Sequence, residues 1–298
     1  MNTTSVKNSA RQPNRFTATA SAGCLIATVL FMLATGAFGA PAGAPLTKLQ
    51  QSVRDSLINV FPVASCCGTT LRKCLVSKKK CPVARHLETF LTWLVGTDPD
   101  PDPVKVREQL DLRYESFTTA ERISFDTAHC QITGPENAPV VVQVYVSARC
   151  PSCKRYVGEL RNAILADSLL RDRVALIPKP VGGGIGNVAL FAAAQEGTFW
   201  ELFFAFRHVY TMPKDTTDII PIAAKAGILT ERFMQRLADP ATLQYLKNNT
   251  EESRRNEVKY LPGYFINGKN YSSYKEIRWI IDALHLEVEQ LPDKKSSR

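Results

Sequence analysis

The chain has 298 residues, of which 45% are hydrophobic and 22% are charged, and its formal net charge is +9. This composition is typical of a globular protein with one large core, or with one core and a smaller accompanying unit. The basic residues are interspersed with Asp and Glu, except in the first 21 residues, where Lys7, Arg11 and Arg15 have no acidic neighbour. Nucleic-acid binding is therefore not expected, because the clustered basic stripe of such proteins is missing.

Residues 1–44 have the pattern of an export signal. Residues 1–21 are polar and basic, residues 22–38 are apolar, and small residues follow. The apolar run of about 17 residues is at the lower limit for a membrane-spanning helix. The sequence therefore predicts either a cleaved signal peptide or an uncleaved N-terminal membrane anchor. In both cases we expect the remaining chain in the periplasm or another extracytoplasmic space.

Residues 45–120 are predicted to form a small all-helical module that contains cysteines. Apolar residues at helical spacing predict helices over residues 46–61, 82–95 and 104–117. Residues 97–103 are rich in Pro and Asp and predict a connector between the last two helices.

From residue 121 to about residue 290 the pattern is that of an α/β domain. A helix is predicted after residue 150, an insertion of five helices between about residues 186 and 256, and a last helix over residues 274–284. The predicted strands are residues 123–127, 140–146, 174–178 and 264–267. The predicted order is β-β-α-β, a helical insertion, then β-α.

The motif Cys150-Pro151-Ser152-Cys153, called the CPSC motif below, lies where a predicted strand meets a predicted helix. A sulfur at that point faces the free N–H groups and the positive dipole end of the helix, which stabilise the reactive thiolate. We predict that Cys150 is the nucleophile and Cys153 the shielded resolving thiol, with no cofactor beyond these cysteines. The alternatives are a structural disulfide or half of a zinc site, although no cysteine follows Cys153 to complete the latter.

The segment Leu261-Pro262-Gly263 precedes the last predicted strand. A cis proline at this place would hold its neighbour's backbone beside the active sulfur, where an extended substrate could pair with it. The alternative is an ordinary loop proline at the start of a strand. Spacing alone leaves both interpretations open.

These motifs together resemble the DsbA-like branch of the thioredoxin superfamily over about residues 123–286. The resemblance rests on the CPSC motif and on four further segments, residues 134–140 (GPENAPV), 195–202 (QEGTFWEL), 223–233 (AAKAGILTERF) and 261–269 (LPGYFINGK). It implies a thioredoxin-like fold with a helical insertion, and dithiol–disulfide exchange on the thiols and disulfides of exported proteins. It also implies a membrane or periplasmic redox partner, a cis peptide bond at Pro262, and contact of Leu261 with substrate.

Three places depart from the family pattern, and one of them is residues 257–260 (EVKY), where members usually read Gly-Val-x-Gly. Leu261 stands where members commonly carry Thr or Val, and Val144 stands where a buried acid is common, six residues before Cys150. Loss of that acid is expected to slow proton removal from Cys153. The departures leave substrate and partner preference open, whereas they do not affect the exchange chemistry.

A second group, called the four-cysteine cluster below, consists of Cys66, Cys67, Cys74 and Cys81. Two structural disulfides are the favoured interpretation, because a small helical module lacks core and an exported chain meets an oxidising compartment. The pairing is either Cys66–Cys81 with Cys67–Cys74, or Cys66–Cys74 with Cys67–Cys81. The alternatives are a four-thiolate metal site, which would suit zinc, and a redox relay that exchanges with the CPSC motif.

Residues 82–87 (PVARHL) and 112–117 (LRYESF) have a weaker resemblance to the CcmH family of haem-lyase thiol proteins, which handle apocytochrome thiols. The Cys-x-x-Cys of that family does not occur in the module, so no residue role is transferred from it. Three functions are therefore in competition. They are exchange on exported proteins through the CPSC motif, a dedicated thiol reductase in cytochrome c maturation, and a metal- or partner-binding module in which the motif is a structural disulfide.

Overall fold

The computed structural model of the chain describes residues 45–77, 80–272 and 276–292. The predicted signal peptide or anchor, residues 1–44, lies outside these residues. All the described residues fall in one compact unit. Within them, every helix is too short or too polar to cross a bilayer.

The first part of the described chain is helical. It contains α1 (Lys48–Val60), a short antiparallel hairpin of β1 (Pro62–Val63) and β2 (Thr69–Thr70), then α2 (Leu71–Val76), α3 (Pro82–Thr97) and α4 (Pro103–Thr118). A capping box starts α1: Thr47 accepts the N–H of Gln50, whose side chain accepts the N–H of Thr47. A proline in the first turn opens α3 and α4. The three predicted helices are confirmed. The hairpin and α2 lie between residues 62 and 76, where no element is predicted.

A four-stranded sheet forms the centre of the second part. Its strands are β3 (Val140–Val146), β4 (Val174–Pro180), β5 (Gly263–Ile266) and β6 (Lys269–Asn270), in the order β4-β3-β5-β6. β3 and β4 are parallel, and β5 pairs antiparallel with β3 and β6. β3 is buried along nearly its whole length, as its nearly unbroken apolar run predicts.

Seven helices surround this sheet among the described residues. They are α5 (Pro151–Ala166), α6 (Ile185–Gln195), α7 (Phe199–Ala205), α8 (Thr216–Lys225), α9 (Glu231–Ala238), α10 (Pro240–Arg255) and α11 (Ile277–Glu289). α5 connects β3 to β4, and α6 to α10 form the predicted insertion before β5. The last predicted helix is confirmed as α11, although its first two predicted residues, 274 and 275, lie outside the described residues. The predicted α/β class with a helical insertion is thus confirmed.

The prediction of a strand over residues 123–127 is wrong. The side chains of this segment do alternate between half-buried and exposed, which is the pattern that predicts a strand. Its backbone, however, is held by separate contacts: Ile123 N–H donates to Gly268 O at 3.0 Å, and Asp126 N–H donates to the Glu252 carboxylate at 2.9 Å. The alternation therefore arises because one face of an extended loop packs against the protein. It does not arise from pairing with a neighbouring strand.

The helical module packs against α11 of the second part. Phe90 of α3 makes an edge-to-face contact with Trp279 of α11, with ring centroids 4.8 Å apart. The carboxylate of Asp282 in α11 accepts a hydrogen bond from the fully buried Arg113 of α4, and lies 2.7 Å from Nδ1 of His86 in α3. Apolar and charged contacts thus join the two parts within one unit, and a domain boundary near residue 120 stays a prediction.

Candidate functional site

The CPSC motif lies at the C-terminal end of β3 and at the start of α5. Cys150 is the N-cap residue of α5 and Pro151 opens its first turn. The turn before Cys150 is held by Asn187 of α6, whose side-chain oxygen accepts the Ala148 N–H at 2.7 Å. The amide of the buried Asn187 also donates to Gly182 O and Gly183 O, which fixes its orientation. The sequence pattern gives no signal for Asn187, because its role depends on a contact between distant segments.

The sulfur of Cys150 is placed to carry negative charge. Its Sγ accepts a hydrogen bond from the Cys153 N–H at 3.1 Å, at the N-terminus of α5. The Cys153 thiol, the backbone N–H groups of Cys153 and Ser152, and the charge of Lys154 lower the pKa of Cys150 to about 7, against the opposing effect of partial burial. Cys150 is half-buried, so its sulfur stays within reach of a partner.

Cys153 differs from Cys150 in both exposure and pKa. Its side chain is fully buried, and burial, together with the hydrogen bond to the Cys150 sulfur, raises the pKa of its thiol. The two thiols of one motif therefore titrate far apart, with Cys150 as the anion near neutral pH and Cys153 as the protonated partner. The predicted roles of nucleophile and resolving thiol require such a separation, and the roles themselves stay a prediction.

Leu261 and Pro262 lie beside the active sulfur, as the resemblance implies. The peptide bond between them is cis. The carbonyl oxygen of Leu261 lies 3.6 Å from the Cys150 Sγ. The structure thus brings Cys150, Cys153, Leu261 and Pro262 into one site, and contact of Leu261 with substrate stays a prediction.

A groove of about 500 Å³ adjoins Cys150. Four of its lining residues are basic and one is acidic: Arg149, Pro151, Lys154, Arg155, Glu159, Arg207, Val209, Tyr210 and Met212. Arg207 fixes one wall, since its Nε donates to the Lys154 carbonyl at 2.6 Å. Tyr210 is 98% exposed at the same wall. The groove therefore offers positive charge and an exposed aromatic ring next to the reactive sulfur.

A buried acid does occur near β3, but on the face of the sheet opposite to Val144. Successive side chains of a strand point to opposite faces, and the next residue, Tyr145, donates its hydroxyl to the Glu252 carboxylate at 2.7 Å. Glu252 also pairs at 2.7 Å with Lys179, which is fully buried in β4. A charged residue inside an otherwise apolar strand is the signal that could have revealed this pair.

Cys130 lies in the same region, where burial raises the pKa of its thiol to about 11.

The four-cysteine cluster contains two disulfides, Cys66–Cys81 and Cys67–Cys74, with Cα–Cα distances of 6.0 and 5.7 Å. This is one of the two pairings that the sequence leaves open. The four sulfurs lie within 4.8 Å of one another. Sulfurs that are paired in disulfides do not act as thiolate ligands, so a metal site concerns only the reduced cluster and stays a prediction.

Two comparisons by sequence find relatives of this chain. The family model described as Thioredoxin matches residues 127–283. The Na(+)/H(+) antiporter NhaA of Herminiimonas arsenicoxydans is 29% identical over 157 residues, which are 51% of this chain and 25% of the antiporter. The chain thus spans about a quarter of the length of this curated relative.

Three solved structures are among those with detectable similarity to this chain. ScsC of Proteus mirabilis in a transitional conformation is 20% identical, with a TM-score of 0.46 over 55% of this chain and 74% of its own. Oxidised BdbD of Bacillus subtilis is 14% identical, with a TM-score of 0.49 over 58% of this chain and 100% of its own. The α-DsbA1 protein of Wolbachia pipientis is 14% identical, with a TM-score of 0.47 over 55% of this chain and 94% of its own.

The family assignment rests on the sequence match and not on these structures, since all three have TM-scores below 0.5. The match covers more than half of the chain and includes Cys150, Cys153, Leu261 and Pro262. The chain therefore belongs to the thioredoxin family, as the resemblance of its motifs implies.

Proposed function

We propose that the chain carries out dithiol–disulfide exchange on exported proteins through the CPSC motif. The observation that supports this most directly is the position of the Cys150 sulfur, which accepts the Cys153 N–H at the start of α5. With its pKa lowered to about 7, about half of Cys150 is thiolate at neutral pH, whereas an ordinary cysteine is only a few per cent thiolate.

The exchange takes place in two steps. The Cys150 thiolate attacks one sulfur of a substrate disulfide, so that this S–S bond breaks, a mixed disulfide forms, and the second substrate sulfur leaves as a thiolate. Cys153 then loses its proton and attacks the Cys150 sulfur, which closes the Cys150–Cys153 disulfide and releases the first substrate sulfur. Two electrons pass from the motif to the substrate, and the same steps in reverse oxidise a substrate dithiol.

The backbone at Leu261 supports a site for an extended substrate segment. Its carbonyl lies 3.6 Å from the Cys150 Sγ, so a main chain that pairs with it has its own cysteine sulfur close to the nucleophile. The basic groove beside Cys150 extends this site. Its positive charge favours substrate segments that carry acidic side chains.

The four-cysteine cluster supports a location outside the cytoplasm. Disulfides such as Cys66–Cys81 and Cys67–Cys74 form and persist in oxidising compartments. We therefore place the described part of the chain in the periplasm or an equivalent compartment, where exported thiols and a redox partner are present. A signal peptide or a membrane anchor over residues 1–44 stays a prediction.

The test is exchange on a disulfide-linked protein substrate, for example insulin reduction by dithiothreitol or the oxidative refolding of reduced ribonuclease. Cys150→Ser is expected to lower the rate to the uncatalysed background, because it removes the attacking sulfur. Cys130→Ser is the matched control and should keep the full rate, since its half-buried thiol lies outside the site. Full activity of Cys150→Ser would leave the motif as a structural disulfide and contradict the proposal.

A further inference from the structure

Cys81 and Cys150 occupy the same position at the start of their helices. Each is the N-cap of a 16-residue helix and is followed by a proline in the first turn. The Cys81 Sγ accepts the Ala84 N–H at 3.3 Å, as the Cys150 Sγ accepts the Cys153 N–H at 3.1 Å. A thiolate on Cys81 therefore shares one stabilising contribution with Cys150, the free N–H groups and the positive dipole end of a long helix. It lacks the hydrogen bond from a second thiol that contributes most at Cys150.

The two sulfurs of the Cys66–Cys81 disulfide differ in access. Cys66 is half-buried on the loop between β1 and β2, whereas Cys81 is buried, with only 4% of its surface exposed. A cavity of about 310 Å³ has Cys81 in its lining, together with Cys74, Lys80 and Arg85. The greater exposure of Cys66 favours attack on its sulfur, and the sulfur displaced by that attack is Cys81, at the N-terminus of α3.

The other disulfide of the cluster lacks this arrangement. Cys67 lies next to Cys66 on the same loop, and their sulfurs are 3.9 Å apart. Its partner Cys74 lies inside α2, a helix of only six residues. In the described part of the chain, no backbone N–H donates to either sulfur of the Cys67–Cys74 bond. The two disulfides are therefore close in space and differ in their leaving sulfurs.

We propose that Cys66–Cys81 is a second thiol–disulfide exchange site of this protein. A thiolate of a small thiol or of a protein dithiol attacks the Cys66 Sγ and forms a mixed disulfide with it. The Cys66–Cys81 bond breaks, and its electron pair leaves on Cys81 as a thiolate at the N-terminus of α3. A second thiol of the reductant then attacks the mixed disulfide, so that Cys66 is released as a thiol and the reductant ends as a disulfide.

The physical reason is the choice of leaving sulfur. Exchange is faster, and the reduced state more populated, when the displaced sulfur is stabilised as a thiolate. In the Cys66–Cys81 disulfide, the leaving sulfur is the buried Cys81 at the start of α3. In the CPSC motif, the sulfur at the start of the helix is the attacking one. The second site does not depend on Cys150, because its thiols come from solution, so it is tested apart from the function proposed above.

The experiment uses the full chain with Cys150→Ser and Cys153→Ser, which removes the first site. The protein is equilibrated without oxygen in glutathione buffers of graded reducing strength, quenched with acid, alkylated and mapped by mass spectrometry. We expect Cys66 and Cys81 to open in buffers about tenfold less reducing than those that open Cys67 and Cys74, as a stabilisation of about 1.4 kcal/mol would give. Circular dichroism should show an unchanged helical content at that point.

The position of the mixed disulfide is the second measurement. Brief exposure to oxidised glutathione after partial reduction should place the adduct on Cys66 and not on the buried Cys81. The proposal is overturned if both disulfides open together, if Cys67–Cys74 opens first, or if opening occurs only with loss of helical content. An adduct that forms mainly on Cys81 would overturn it as well.

Discussion

The CPSC motif and the four-cysteine cluster place a sulfur at the same kind of helix start, and they differ in which sulfur is accessible. Cys150 is half-buried and faces the Leu261 carbonyl, with its partner Cys153 buried one turn into the same helix. Cys81 is buried, and its partner Cys66 lies 15 residues earlier on a loop. The helix supplies the same electrostatic support in both places. Access then decides whether the supported sulfur acts as the attacking group or as the leaving group.

The largest expected effect comes from removing the resolving thiol of the CPSC motif. With Cys153→Ser, Cys150 can still attack a substrate disulfide but nothing in the motif displaces the substrate afterwards. We expect the mixed disulfide to accumulate until it is the main product, as a band on non-reducing gels that disappears with dithiothreitol.

The control for this trapping is the same substitution combined with Cys150→Ser. The double variant should give no covalent complex, because the attacking sulfur is gone. A complex that persists in the double variant would show that another cysteine attacks substrate. The assignment of Cys150 as the attacking sulfur would then be wrong.

The second prediction concerns the contact between the helical module and α11. Asp282 accepts a hydrogen bond from the fully buried Arg113 and contacts His86, so Asp282→Ala removes one buried ion pair of Arg113. Breaking such a pair costs about 3–5 kcal/mol of unfolding free energy, measurable by urea denaturation of the oxidised protein. Asp111→Ala is the matched control. It removes an exposed i,i+4 pair with Arg107 and should change the unfolding free energy by less than about 1 kcal/mol.

The same variant also tests whether the helical module unfolds together with the rest of the described chain. If they share one core, Asp282→Ala should lower the denaturation midpoints of the α3 and α5 regions together, as followed by hydrogen exchange. Loss of protection in the α3 region alone, with α5 unchanged, would show that the helical module unfolds independently.

The smallest prediction concerns the charge beside the nucleophile. Lys154 lowers the pKa of Cys150, although less than the hydrogen bonds from Cys153 do. Lys154→Gln should therefore raise that pKa slightly and slow alkylation of Cys150 at pH 6.5 about twofold, the size expected of a partly exposed charge. Lys225→Gln lies on α8, does not contribute to the Cys150 pKa, and should leave the rate unchanged. If both variants slow the alkylation equally, the cause is the net charge of the protein and not the position of Lys154 beside Cys150.

The CPSC site could be predicted from the sequence because its signals are local. An apolar strand, a Cys-x-x-Cys motif and a helix follow one another within a short stretch, and the Leu261-Pro262 segment precedes a short strand. The supporting contacts could not be predicted in this way. Asn187 holds the turn before Cys150 from a different helix, and nothing in its neighbouring residues points to that role.

Two other features show where the sequence was not sufficient. Both pairings of the four-cysteine cluster close short loops, so spacing did not select Cys66–Cys81 with Cys67–Cys74. Residues 123–127 alternate as a strand does, but their backbone groups bond to Gly268 and Glu252 instead of to a neighbouring strand. In both cases the outcome depends on which distant segments meet, and periodicity carries no information about that.

The most direct test of the account is the rate at which Cys150 is alkylated as a function of pH in the reduced protein, with peptide mapping to separate it from Cys153 and Cys130. Because only the thiolate reacts, the rate should rise with pH and reach half of its maximum near pH 7, the lowered pKa of Cys150. Cys153 should stay unreactive through that range. A midpoint near 8.5, the value of an ordinary cysteine, would contradict the stabilised thiolate on which the proposed exchange depends.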